Sequence, residues 1–128
     1  CLMKRALQVF GAMVMMSGGT AYAQDNAVGK ALVNYGEVTA AWHFNLKCSY
    51  LNSTDQSKFE ADVETITVAL GKDLDDQNLL NHIQSSVKDM VYSAKYSDCE
   101  KTRVLFDVGY QFTKTWSEQI RLIQQKQG

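Results

Sequence analysis

A chain of 128 residues with 45% apolar and 21% charged side chains has room for one modest core, which excludes a disordered tail, a collagen-like polymer and a low-complexity repeat. The formal net charge is −1, and Lys and Arg are scattered singly among acids rather than gathered in the basic stripe of a nucleic-acid binder. The same balance disfavours an anionic membrane surface as a partner.

The amino terminus reads as an export signal. From Met3, Lys4-Arg5 supplies a basic start and Ala6 to Met16 an apolar run of 11 residues broken only by Gln8 and Gly11. Ser17-Gly18-Gly19-Thr20 and the small-x-small triplet Ala21-Tyr22-Ala23 follow, so cleavage is expected before Gln24. This predicts a cleavable signal peptide over residues 1–23, making few contacts with the core, and a single helical domain over 24–128. Cys1-Leu2 precede the start methionine and read as a non-native remnant with no role. The apolar run is shorter than the roughly 20 residues a bilayer crossing needs, and no cysteine follows it to carry a lipid. No stable membrane anchor is therefore expected after cleavage, and the periplasm or the extracellular space is the expected location. Loss of Lys4 and Arg5 leaves 11 basic against 14 acidic residues, a net charge near −3.

The cysteines fit that compartment. With Cys1 gone, Cys48 and Cys99 remain as an even pair in an oxidising environment, which favours a bridge between them. Cys-x-x-Cys does not occur, so a thioredoxin-type redox centre has no support.

Past residue 24 there is no proline, and apolar residues recur at three and four positions, the period of helices. A first helix over about 28–50 carries Tyr35, Val38, Trp42 and Leu46 on one line, widened by Ala41, Phe44 and Cys48, with His43 and Lys47 on the wetter side. Ser53 is the expected cap of a second helix, with Gln56 closing a capping box and Asp55, Glu60, Asp62 and Glu64 favoured near its start by the helix dipole. Phe59, Val63, Ile66 and Leu70 form its stripe, and Gly71 is its expected left-handed stop. A turn over 72–76 leads into a third helix with Leu80, Ile83, Val87, Met90 and Ala94 in line and Leu79 and Val91 beside them. Asp98 then caps a fourth helix, whose stripe is Cys99, Thr102, Phe106, Gly109, Thr113, Trp116, Ile120 and Ile123, flanked by Leu105, Val108 and Phe112. Its outer face holds Arg103, Asp107, Lys114, Glu118 and Arg121, with Lys114 and Glu118 at pairing distance.

Four helices joined by short turns predict an all-α, up-down-up-down four-helix bundle with one disulfide. In that topology the end of the first helix and the start of the fourth share a pole, where Cys48 and Cys99 fall.

Chemistry is sparse. His43 and His82 are the only histidines, and neither has a Cys, His or Glu companion at metal-ligand spacing. Covalent haem would need Cys-x-x-Cys-His, and di-iron chemistry paired Glu-x-x-His, and both are absent. A His43 and Met90 haem pair would need both residues inside, and His43 is expected outside. Asp73, Asp75 and Asp76 lack the glycine and the closing glutamate of a calcium loop and read as caps of the third helix. Asn52-Ser53-Thr54 is a formal glycosylation acceptor that a helix start explains equally well. Trp42 and Trp116 are expected in the core. No catalytic constellation, metal site or cofactor is expected. The predicted function is a small exported helical binding protein, of inhibitor or immunity type, acting on a protein partner. The alternative is a cofactor- or metal-carrying bundle that uses His43 as ligand.

Overall fold

The computed structural model describes residues 23–127, and no strand occurs among them. Residues 1–22 of the expected signal peptide lie outside the described residues. Four α-helices, α1 (Ala23–Cys48), α2 (Ser53–Leu74), α3 (Gln77–Val91) and α4 (Cys99–Gln127), follow one another, with a 3-10 turn at Ala94–Tyr96 before α4.

Each corner has a local cause. α1 stops at Cys48, two residues earlier than its periodicity implies, because Ser49 turns left-handed (φ 54°) and donates its N–H to the Asn45 carbonyl. Asn45 is fully buried at this corner: its Oδ1 accepts from Leu51 N at 3.0 Å and its Nδ2 donates to Gln56 Oε1 at 2.8 Å. The cap of α2 is Asn52 rather than Ser53, with Oδ1 accepting from Asp55 N at 2.8 Å. Asn caps a helix as well as Ser does. With Asn52 as cap, Gln56 falls one position past the capping-box site, and it satisfies the buried amide of Asn45 instead.

α2 runs past Gly71 to Leu74, and its left-handed cap is Asp75 (φ 52°, ψ 38°), whose N–H reaches the Gly71 carbonyl. Aspartate tolerates this region. Gly71 instead lets α3 come close: a Cβ there would stand 3.1 Å from Gln77 Oε1 and 3.7 Å from Leu80 Cδ1. Asp76 caps α3 through Leu79 N at 3.1 Å, as expected, whereas Asp73 lies inside α2.

α3 ends at Val91, so Ala94 is not helical in the α sense but starts the 3-10 turn. Its last turn is closed from α1, where Lys47 Nζ donates to the carbonyls of Val91 (2.8 Å) and Tyr96. Lys47 is thus half-buried in a helix junction rather than on a wet face. Asp98 caps α4 as expected, accepting from Glu100 N (2.9 Å) and Lys101 N (3.3 Å).

Most of the α4 stripe is buried as predicted: Thr102, Phe106, Gly109, Thr113, Trp116 and Ile120 all face inward. On α1 the buried line is Ala27, Ala31, Tyr35, Val38, Ala41 and Phe44, so Leu46 points outward and Trp42 is half-buried, edge-on to Phe59 at 5.7 Å. On α3, Val91 is buried and Met90 is exposed. The i,i+4 ion pair of α4 is Arg103–Asp107, and Lys114 lies over the Tyr110 ring at 5.1 Å.

Two apolar clusters fill the interior. One gathers Tyr35, Val38, Ile66, Leu70, Leu80, Trp116 and Ile120, and the other, nearer the disulfide, gathers Ala41, Phe44, Phe59, Val91 and Phe106. Tyr35 Oη joins three helices, 3.0 Å from Thr67 Oγ1 and accepting from Gln84 Nε2 at 2.5 Å. Cys48 and Cys99 are disulfide-bonded with Cα atoms 5.7 Å apart, and Tyr50 Oη beside them donates to the Cys99 carbonyl.

The largest seam is α1 on α4; α1 also packs on α3, and α4 on α2. Successive helices in the chain touch less, and α3 has no substantial contact with α4. The α1–α4 seam is close because Gly109 lacks a side chain: a Cβ there would sit 2.7 Å from Ala41 Cβ and 2.9 Å from the Glu37 carbonyl oxygen.

Candidate functional site

Among the described residues α3 and α4 both lean on α1 but hardly touch each other, which leaves a groove between them. Glu37, Ala40 and Phe44, at helical spacing of three and four, form the floor of a groove of about 250 Å³. Met90 of α3 and Tyr96 of the 3-10 turn form one wall, and Leu105, Val108 and Gly109 of α4 the other. The Phe44 and Tyr96 rings meet edge to face at 6.0 Å and close the end nearest the disulfide. The walls are apolar yet wet: Met90 is 40% exposed, Leu105 48% and Val108 61%. Val104, also exposed, extends the α4 ridge. Glu37 is the one carboxylate in the lining; it is exposed and makes no ion pair among the described residues.

The sequence pattern placed Met90 in the core and Leu105 and Val108 as flanks, and did not assemble them into a groove. The available signal was the breadth of apolar residues on α4, where Val104, Leu105 and Val108 add a second ridge beside the inward stripe.

His43 is half-buried, not on a wet face, because α3 passes over that side of α1; its ring meets Tyr92 edge-on at 6.2 Å. Its Nδ1 is buried with no hydrogen-bond partner among the described residues. Burial first, and the nearby Lys88 cation second, lower its pKa from the ordinary histidine value. A neutral imidazole is a competent ligand, but among the described residues no three His, Cys, Asp or Glu side chains are grouped to hold a metal ion. His82 is exposed.

One polar cluster could be mistaken for a reactive centre. Ser117 Oγ donates to Asp62 Oδ1 at 2.9 Å, and Arg121 pairs with the same oxygen at 2.7 Å. Ser117 is fully buried, out of reach of a substrate, and its carboxylate partner is also paired with the Arg121 guanidinium. The cluster ties α2 to α4. No described helix is long and apolar enough to cross a membrane.

No protein-family model, curated protein or solved structure matches this chain.

Proposed function

We propose that the protein is a small exported helical binding module of inhibitor or immunity type, without catalytic activity, that docks a protein partner in the groove between α3 and α4. The observation that carries this reading is the groove itself, an apolar hollow whose walls Met90, Leu105 and Val108 remain in water. Apolar surface left exposed forgoes about 25 cal/mol per Å² of burial, and side chains grouped around a hollow can recover it on docking. Size favours a protein partner over a cofactor. About 250 Å³ lies below the roughly 300–1,000 Å³ of small-molecule sites, but suits one or two anchoring side chains.

Export is supported by the signal-like pattern of residues 1–23 and by the Cys48–Cys99 bridge, since disulfides persist in oxidising compartments. We read the bundle as up-down-up-down. The order of contacts supports this: Cys48–Cys99 and Ala41–Gly109 run in opposite senses along α1 and α4. Tyr35–Gln84 and His43–Tyr92 run in the same sense along α1 and α3.

The test places a photo-crosslinking residue at Leu105 and at the exposed Lys126, far along α4, and captures partners in the native envelope. A partner trapped from position 105, lost with Val108→Asp and not trapped from position 126, supports the reading. Equal trapping from both positions, or none, counts against it. The buried, unpartnered Nδ1 of His43 favours a second reading, a carrier with this ring as ligand. A tight ligand must raise stability, so no thermal shift with haem, copper or zinc would end it.

A further inference from the structure

We infer that His43 is an acid-sensitive latch on α3: when its ring takes up a proton, the last turns of α3 and the 3-10 turn come away from α1 while the rest of the bundle stays closed. The latch is independent of what docks in the groove. Only its consequence, withdrawal of the Met90 and Tyr96 wall, rests on the docking function proposed above.

The surroundings of the ring make it hard to protonate in place. Its Nδ1 is buried and meets no hydrogen-bond partner among the described residues. Whichever nitrogen carries the proton of the neutral ring, the imidazolium carries one on both, so charging it leaves a cationic N–H at Nδ1 with nothing to receive it. A buried charged donor left unpaired costs far more than a neutral one. Neighbouring cations add repulsion. On α3, Lys88 lies near enough to act on the ring, and Tyr92 meets it edge-on at 6.2 Å. On α1, Lys47, one turn further along, lies over that same Tyr92 ring at 5.9 Å. Asp89 of α3 and Lys58, Glu60 and Glu64 of α2 are exposed, and no carboxylate pairs with His43 among the described residues. Protonation therefore adds a third positive charge to this seam without an acid to balance it.

The element that yields is α3. Of its 15 residues only Leu80 and Val91 are buried, and it rests on α1 with little support from α2 and none of substance from α4. Lys47 donates to the carbonyls of Val91 and Tyr96, so the helix end, the 3-10 turn and the His43 ring share one small seam. Gln84 anchors the middle of α3 to the Tyr35 hydroxyl, and the Cys48–Cys99 bridge fixes the chain again beyond the turn. These two ties confine the opening to residues 85–98.

Once the seam opens, the ring is in water and takes up its proton at the ordinary value of 6.5, so the opening constant rises by up to about tenfold between pH 7.5 and 5.5. Amide exchange of the purified, oxidised protein, read residue by residue by NMR at low urea concentrations, measures this; rates are expressed as protection factors, which remove the intrinsic pH dependence of exchange. Inner amides of α4, which exchange only on global unfolding, are the reference. Residues 85–98 are expected to exchange more freely than these, with less than about half their urea slope, and to lose protection about three- to tenfold at the lower pH. His43→Gln should abolish that loss and Lys88→Gln, at an exposed position, should shrink it, while His82→Gln, exposed on the same helix, should leave it intact. Residues 85–98 that share the protection and urea slope of α4 would overturn the latch, because their opening would then be global. A local opening indifferent to pH, or equally sensitive in His43→Gln, would overturn it too, as would an undiminished response in Lys88→Gln if His43→Gln does not fold. No partner enters the measurement, so its outcome leaves the docking function to the crosslinking test.

Discussion

Gly29 and Gly109 are both helical glycines, and replacing each with alanine should move stability in opposite directions. At position 29 a Cβ would meet nothing within 4 Å, so only the backbone preference acts, and Gly29→Ala should stabilise by about 0.5–1 kcal/mol. At position 109 the new methyl group would lie 2.7 Å from Ala41 Cβ and 2.9 Å from the Glu37 carbonyl oxygen, against about 3.5–4.0 Å for relaxed carbon contacts. Neither neighbour can swing aside, since one is a Cβ fixed to helical backbone and the other is backbone. The α1–α4 seam must open by up to roughly 1 Å in a close-packed interior. Overpacking of this kind costs about 1–3 kcal/mol, and after the helix-propensity gain of about 0.5–1 kcal/mol a net loss of up to roughly 2 kcal/mol remains. For a domain near 100 residues each kcal/mol moves Tm by about 4–8 °C, so both signs are measurable by thermal and urea unfolding followed by circular dichroism. Subtracting one variant from the other cancels the shared propensity gain and isolates the steric cost. A Gly109→Ala protein as stable as Gly29→Ala would refute the close approach of α1 and α4.

The bridge joins residues 51 apart, and the chain-entropy relation puts its contribution at about 4 kcal/mol; Cys48→Ala with Cys99→Ala should lower Tm by roughly 15–30 °C, and a loss under about 1 kcal/mol would contradict that account. Lys47→Met keeps the aliphatic stem but leaves the Val91 and Tyr96 carbonyls without their donor, and should cost about 1–3 kcal/mol, with faster amide exchange across residues 91–98 as the local signature. His43 has a lowered pKa in the fold, so below its ordinary value of 6.5 the unfolded chain takes up a proton that the native state resists. Its contribution is fully present above that pH and is lost as pH falls toward the folded-state pKa. Urea titrations at pH 5.5 and 7.5 should show a smaller pH dependence in His43→Gln than in the parent, and identical slopes would show that the ring titrates normally.

Much of the fold was legible from local rules. The three-four spacing of Thr102, Phe106, Gly109, Thr113, Trp116 and Ile120 marked the inner face of α4, and Asp76 and Asp98 marked helix starts that the backbone uses. Where expectation and structure part, a distant residue decided. Gln56 is out of capping-box register once Asn52 is the cap, and its amide oxygen instead accepts from the buried Asn45, while α2 runs on past Gly71 to a left-handed Asp75. His43 and Lys47 looked solvated by helical phase, which reports the angle between residues and not which neighbouring helix lies over them.

The sequence by itself determined the helices, the Asp76 and Asp98 caps, the pairing of Cys48 with Cys99 and the apolar face of α4, because each depends on residues within a turn or two or on simple counting. Only the tertiary structure decided that α1 carries both α3 and α4 while those two stay apart. Helix-to-helix distance is set by the summed fit of side chains across seams, here by the missing Cβ of Gly109 against Ala41. The groove that results therefore belongs to no single stretch of chain.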